Sequence, residues 1–187
     1  MKSILGVTSV VLVGMLLCAG TGFAGEIGLK GIEARLGYAD IEGDVGGAIL
    51  FSGGADLGQL TPELGLELQA DFWTKSEDFG GGVEWSWMDF GIMCNLRYDF
   101  VGGASFLPYT FAGLGFHYWD ASWDCPGCST FFGDLSESGL EFGFDIGAGA
   151  EFGKGEGITP VARLGYNVNG GADYLFISGG IKFPMGN

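Results

Sequence analysis

Between His117 and Asp134 the sequence reads HYWDASWDCPGCSTFFGD, the densest run of reactive side chains in the chain. Cys125 and Cys128, separated by Pro-Gly, have the spacing of a small disulfide ring, a redox pair or half a metal site. A redox thiol needs nearby positive charge or a helix N-terminus to favour the thiolate. Asp120, Asp124 and Asp134 supply negative charge instead. A metal site could draw on Cys125, Cys128 and His117 or Asp124, but no second Cys or His pair completes the set. The expectation is a loop disulfide between Cys125 and Cys128 and no metal. His117 is the sole histidine, and Asp120 and Ser122 follow within five residues. Base, acid and hydroxyl are the types that nucleophilic catalysis requires, but only a shown geometry would make them a set. A histidine without a catalytic role is expected.

Other chemistries are excluded by composition. Eight Lys and Arg against 23 Asp and Glu give a net charge of −15, which repels nucleic-acid phosphates. No phosphate-binding loop is present, because no Gly cluster stands between a strand and a helix with GK[ST]. No cofactor motif occurs. Acidic residues gather in connecting segments (Asp40, Glu42, Asp44, Glu77, Asp78, Asp124, Asp134, Glu137), without the spacing of a calcium loop, and read as a solvated acidic surface.

The elements that must carry these residues alternate. In GLEFGFDIGAGAEFG, Gly139 to Gly153, one face holds Leu140, Phe142, Phe144, Ile146, Ala148, Ala150 and Phe152. The other holds Glu141, Asp145, Glu151 and glycines. Period two means a β-strand with one apolar side. Mean hydropathy is +0.31 despite the acidic balance, so the chain divides itself between two environments. The N-terminus, with one lysine, an apolar run from Ile4 to Leu17 and small residues at Gly22 and Ala24, reads as a cleavable signal peptide, residues 1–24. Residues 25–187 then form one domain.

That domain divides into eight period-two segments, near 29–40, 48–57, 63–73, 85–98, 107–120, 139–153, 158–168 and 174–183. The second, interrupted by Gly53-Gly54, is the weakest. Connections after even segments are short; those after odd segments are mostly longer and acidic. This pattern predicts an all-β fold: an eight-stranded antiparallel transmembrane up-and-down β-barrel, apolar face to lipid and glycine-and-charge face inward. Eight strands leave an interior that side chains fill. Inward charges then need partners, and Glu33, Arg35, Glu67, Asp71, Asp89, Arg97, Asp145, Glu151, Arg163 and Lys182 are expected to form a network that plugs the lumen. Tyr38, Trp73, Trp85, Trp87, Tyr118 and Trp119 fall near the long-loop ends, and Tyr98, Phe100, Phe106, Tyr109 and Phe183 near the short turns, as two interfacial belts.

LPYTFAGLGFHY (107–118), LEFGFDIGAGAEF (140–152) and ISGGIKF (177–183) resemble the small outer-membrane β-barrel family typified by OmpA and OmpX. The resemblance spans nearly all of residues 25–187 and implies residence in the bacterial outer membrane. It also implies contact with lipid and lipopolysaccharide, insertion by the barrel-assembly machinery, and a structural or surface-interaction role as a monomer whose surface ligand it leaves unnamed. The family often ends on an aromatic; here PMGN follows Phe183, so an assembly signal would be internal. Some barrels of this size modify lipid A with a rim histidine, which would put His117 with Ser122 and Asp120. Eight alternating strands would also accommodate a narrow porin-like channel, or a soluble barrel closed around a small apolar ligand.

Overall fold

A computed structural model describes residues 27–43, 45–80, 83–100, 105–124, 135–153 and 157–185. The signal-peptide segment, Cys125, Cys128 and Asp134 lie outside the described residues. Eight strands follow one another: β1 (Ile27–Ile41), β2 (Gly46–Gln59), β3 (Leu64–Asp78), β4 (Glu84–Asp99), β5 (Phe106–Asp124), β6 (Leu135–Phe152), β7 (Thr159–Val168) and β8 (Tyr174–Pro184). Each pairs antiparallel with the next, and β8 closes on β1 from Gly31↔Pro184 to Ile41↔Tyr174. Closure leaves no sheet edge within the barrel wall, so backbone polar groups there can pair strand to strand without water.

Side chains alternate across this wall as period two requires. Leu36, Ile49, Phe51, Leu114, Phe142 and Ile177 on the outside are each 54–61% exposed. A belt of large apolar residues this broad suits hydrocarbon rather than water. Inside, Glu33, Arg35, Glu67, Gln69, Asp71, Asp89, Asn95, Arg97, His117, Asp145, Arg163 and Asn167 are buried.

Glycines make that interior possible. The His117 ring lies over Gly91 and Gly143, Tyr109 over Gly149, Phe176 over Gly165 and the Glu33 side chain over Gly54. The last contact explains why β2 runs unbroken through Gly53-Gly54, where the sequence pattern lapses: Gly54 is where Glu33 needs room. A methyl at Gly91 would stand 2.8 Å from Nδ1 and 3.0 Å from Nε2 of His117. Gly91→Ala should therefore cost about 1–3 kcal/mol, seen as a lower midpoint for the heat-dependent gel shift of the detergent-extracted barrel.

Two features depart from the expected pattern. First, β3 continues to Asp78, β5 to Asp124 and β6 back to Leu135. β3 leaves β2 after Leu50↔Trp73, and β6 meets β7 only from Phe144↔Val168 onward. β3 to β6 thus continue beyond the rim as a four-stranded wall. Apolar alternation stops where lipid stops, so its end at Trp73 marked the membrane rather than the strand. Second, Trp73, Trp85, Trp87 and Trp119 at the long-loop end, and Tyr109 at the short-turn end, point inward rather than to a lipid interface. Trp73 is wholly buried with Ala39, Leu50, Tyr174 and Phe176, and Trp85 and Trp87 pack against that cluster. The alternation of β3, β4 and β5 puts these residues on the same face as Asp71, Asp89 and His117, and that parity overrides the preference of indole for an interface. On the outward face, Tyr38 and Tyr98 are 50% and 45% exposed.

Candidate functional site

The lumen gathers the polar residues of all eight strands in three layers. At the short-turn end, Arg97 Nε donates to Asp99 Oδ1 at 2.6 Å and its Nη1 to Glu151 Oε1 at 2.5 Å. Lys182 Nζ donates to Asp56 Oδ2 at 2.8 Å and to the same Glu151 oxygen at 3.0 Å. The Arg97 guanidinium also lies 3.9 Å over the Tyr109 ring, a favourable cation–π geometry. Asp56, Arg97, Asp99, Glu151 and Lys182 line a cavity of about 210 Å³ at that end.

The middle layer is built on Arg163, fully enclosed. Its Nη2 pairs with Glu67 and lies 3.4 Å from Glu33 Oε1. Its Nη1 donates to Gln69 Oε1 at 2.6 Å, and its Nε to the Tyr109 hydroxyl at 2.9 Å. One side chain from β7 thereby ties together β1, β3 and β5. Arg35 joins by pairing with Glu33 and lies 3.9 Å from Glu67. A planar fork with five donors can bond several strands at once in a way lysine cannot.

The upper layer centres on His117, also fully buried. Its Nδ1 lies 2.9 Å from Asp89 Oδ1 and its Nε2 3.1 Å from Asn167 Nδ2. A carboxylate only accepts, so Nδ1 carries the proton and Nε2 accepts from Asn167. Asn169 Nδ2 approaches Asp89 Oδ2 at 3.4 Å. Asn169 and Asp173 also cap the tight β7–β8 turn, with backbone N–H groups of Ala172 and Asn169 donating to them at 2.7 and 2.9 Å.

The ten charged residues expected inside all face the lumen, Asp71 and Asp145 without a basic partner among the described residues. The grouping of His117 with Asp120 and Ser122 is not assembled. Odd-numbered residues of β5 face inward and even-numbered ones outward, and Ser122 shares a 2.8 Å hydrogen bond with Ser86. The acid that orients His117 is Asp89, on the neighbouring strand. Gln69, Tyr109, Asn95, Asn167 and Asn169 are further members that a search for charged side chains passes over. Apart from Asn169, which lies in the β7–β8 turn, their signal was position: each occupies the inward parity of its strand.

A closed ring of eight antiparallel strands, apolar outside and filled with polar side chains inside, defines a membrane-spanning β-barrel of the outer-membrane type. Residues 9–180 match the outer membrane protein beta-barrel domain, and the chain belongs to that family. Among solved structures it is similar to Neisserial surface protein A, with TM-score 0.62 and 15% identity over 83% of this chain and 96% of that one. It is also similar to Ail, the attachment invasion locus protein of Yersinia pestis (TM-score 0.58, 13% identity, 84% and 99% covered). A third is the N-terminal β-barrel domain of Pseudomonas aeruginosa OprF (0.53, 18%, 84% and 99%). At these identities the likeness is one of fold. No curated protein matches the sequence.

Proposed function

We propose that the chain, exported through residues 1–24, is a non-conducting barrel of the bacterial outer membrane that serves as a rigid anchor for a surface-contact element. The observation that carries this reading is Arg163. Its bonds to Glu67, Gln69 and Tyr109 cross the lumen at mid-height, so what remains available for contact is the β3–β6 wall and the loops beyond the rim. Ail has been seen in complex with the heparin analogue sucrose octasulfate. With a net charge of −15 the present chain repels a polyanion of that kind, and a neutral or cationic partner suits it better.

Reconstituted in planar bilayers, the purified barrel should show no discrete conductance steps. On intact cells, added protease should cut beyond the rim while leaving the barrel whole. Discrete steps, or a wall that protease reaches only after the cells are broken, would overturn the proposal.

A further inference from the structure

One cross-strand row of the barrel runs Glu67, Asn95, Gly113, Asp145, Asn167, Tyr174, each residue the register partner of the next. All face inward. Along this row Asn95 Oδ1, both oxygens of Asp145, Asn167 Oδ1 and the Tyr174 hydroxyl are buried without a hydrogen-bond partner among the described residues. Orphaned oxygens at this density, on side chains no more than 1% exposed, are costly unless a donor or a cation lies among them.

The orientation of the amides is fixed by the network. Arg163 only donates, so Gln69 must turn Oε1 towards it, leaving Gln69 Nε2 to donate to Asp71 Oδ2 at 2.6 Å. Asn95 then presents Nδ2 to the same Gln69 oxygen at 3.2 Å. Its Oδ1 is left facing Asp145 Oδ1, and both occupy the space that a side chain at Gly113 would take. Turning Asn95 over would let its Nδ2 donate to Asp145, but would set two acceptors against each other at Gln69.

Charge leads to the same place. In the middle and upper layers Glu33 and Glu67 pair with Arg35 and Arg163, and Asp89 accepts from His117. Among the described residues Asp71 and Asp145 have no basic side chain in salt-bridge contact. Two carboxylates and a set of neutral oxygens make a hard-cation donor set. Neutral amide oxygens in irregular arrangement suit Ca²⁺, which takes six to eight oxygens in flexible geometry, better than Mg²⁺, which demands an octahedron and keeps its water.

We propose that the barrel encloses a Ca²⁺ ion at mid-lumen, held by Asp145, Asn95 and Asn167 with Asp71 as the second counter-charge. The ion enters during folding and is sealed between the Arg163 and His117 layers. The test uses the full barrel, refolded into detergent in millimolar Ca²⁺, freed of loosely held ion by gel filtration in chelator, and assayed for calcium by elemental analysis. Ca²⁺ on the acidic surface exchanges and washes away; an enclosed ion stays, at about one per chain. Asp145→Asn, similar in shape, should reduce retention by more than the roughly 10–100-fold that altering a supporting group costs. Its heat-dependent gel shift shows whether it has folded; should it not, Asp71→Asn takes its place. Wild-type barrel that retains no Ca²⁺, or a folded variant that retains as much, would overturn the site. Neither result bears on the conductance test of the plugged lumen, so the two proposals fail separately.

Discussion

Replacing Arg163 by Ala should be the most damaging single change in the lumen. It leaves Glu67 with Arg35 at 3.9 Å, leaves Gln69 Oε1 with the Asn95 amide, and strips the Tyr109 hydroxyl of its hydrogen-bond donor. Removing one side of a buried ion pair costs about 3–5 kcal/mol, because the remaining charge stays desolvated. The barrel should therefore lose its heat resistance, with a large fall in the gel-shift midpoint. The double change Arg163→Met with Glu67→Leu should recover much of the loss, since replacing both partners with apolar groups removes the stranded charge. If the single variant unfolds at the wild-type midpoint, Arg163 does not hold the strands together. With Arg163 gone, bilayer recordings also test whether this residue closes the lumen: the appearance of small steps in the variant alone would locate the barrier.

The second large effect lies on the opposite face. Leu114, 56% exposed, stands on the outside of β5 between Cys94 of β4 and Phe144 of β6. Leu114→Arg should destabilise the barrel in a bilayer by about 2–4 kcal/mol, the cost of a cationic side chain on the lipid face near the midplane. Thr74→Arg, outward on β3 beyond the last pairing with β2, should cost much less, because it lies where alternation has given way to polar residues. Urea unfolding of both variants in lipid vesicles measures the difference. Equal costs would mean that the apolar belt does not mark the bilayer.

Much of this architecture was open to reading because a β-strand has a period of two and a bilayer punishes any lapse in it. Leu140 to Phe152 could hardly be anything else, and β7 and β8 fell within one residue of their expected ends. Parity says which way a side chain points, but not what it meets. Arg163 and Glu67 lie 96 residues apart, and their meeting follows from the shear and diameter of the closed barrel. Asp89 reaches His117 for the same reason, while Asp120, close in sequence, faces away. The tryptophans show the opposite error: residue type suggested the lipid interface, and strand parity was the better guide. Polar uncharged members such as Gln69 and Asn95 were visible as inward residues, but the need for them becomes apparent only once Arg163 is seen to fix the orientation of both amides.

Four of the five tryptophans, Trp73, Trp85, Trp87 and Trp119, occupy inward positions of β3, β4 or β5, while Trp123 stands exposed on the wall beyond the rim, and Trp87 stacks on Trp119 with centroids 5.7 Å apart. The optical consequence is that the intrinsic fluorescence of this barrel observes its interior and hardly sees the bilayer. Brominated acyl chains, which dim indoles seated at a membrane interface, should leave the emission nearly unchanged. A change in the packing or charge of the lumen should shift it. Nature has placed these chromophores where a spectroscopist studying the lumen would have engineered them, and the native chain can be followed without a label.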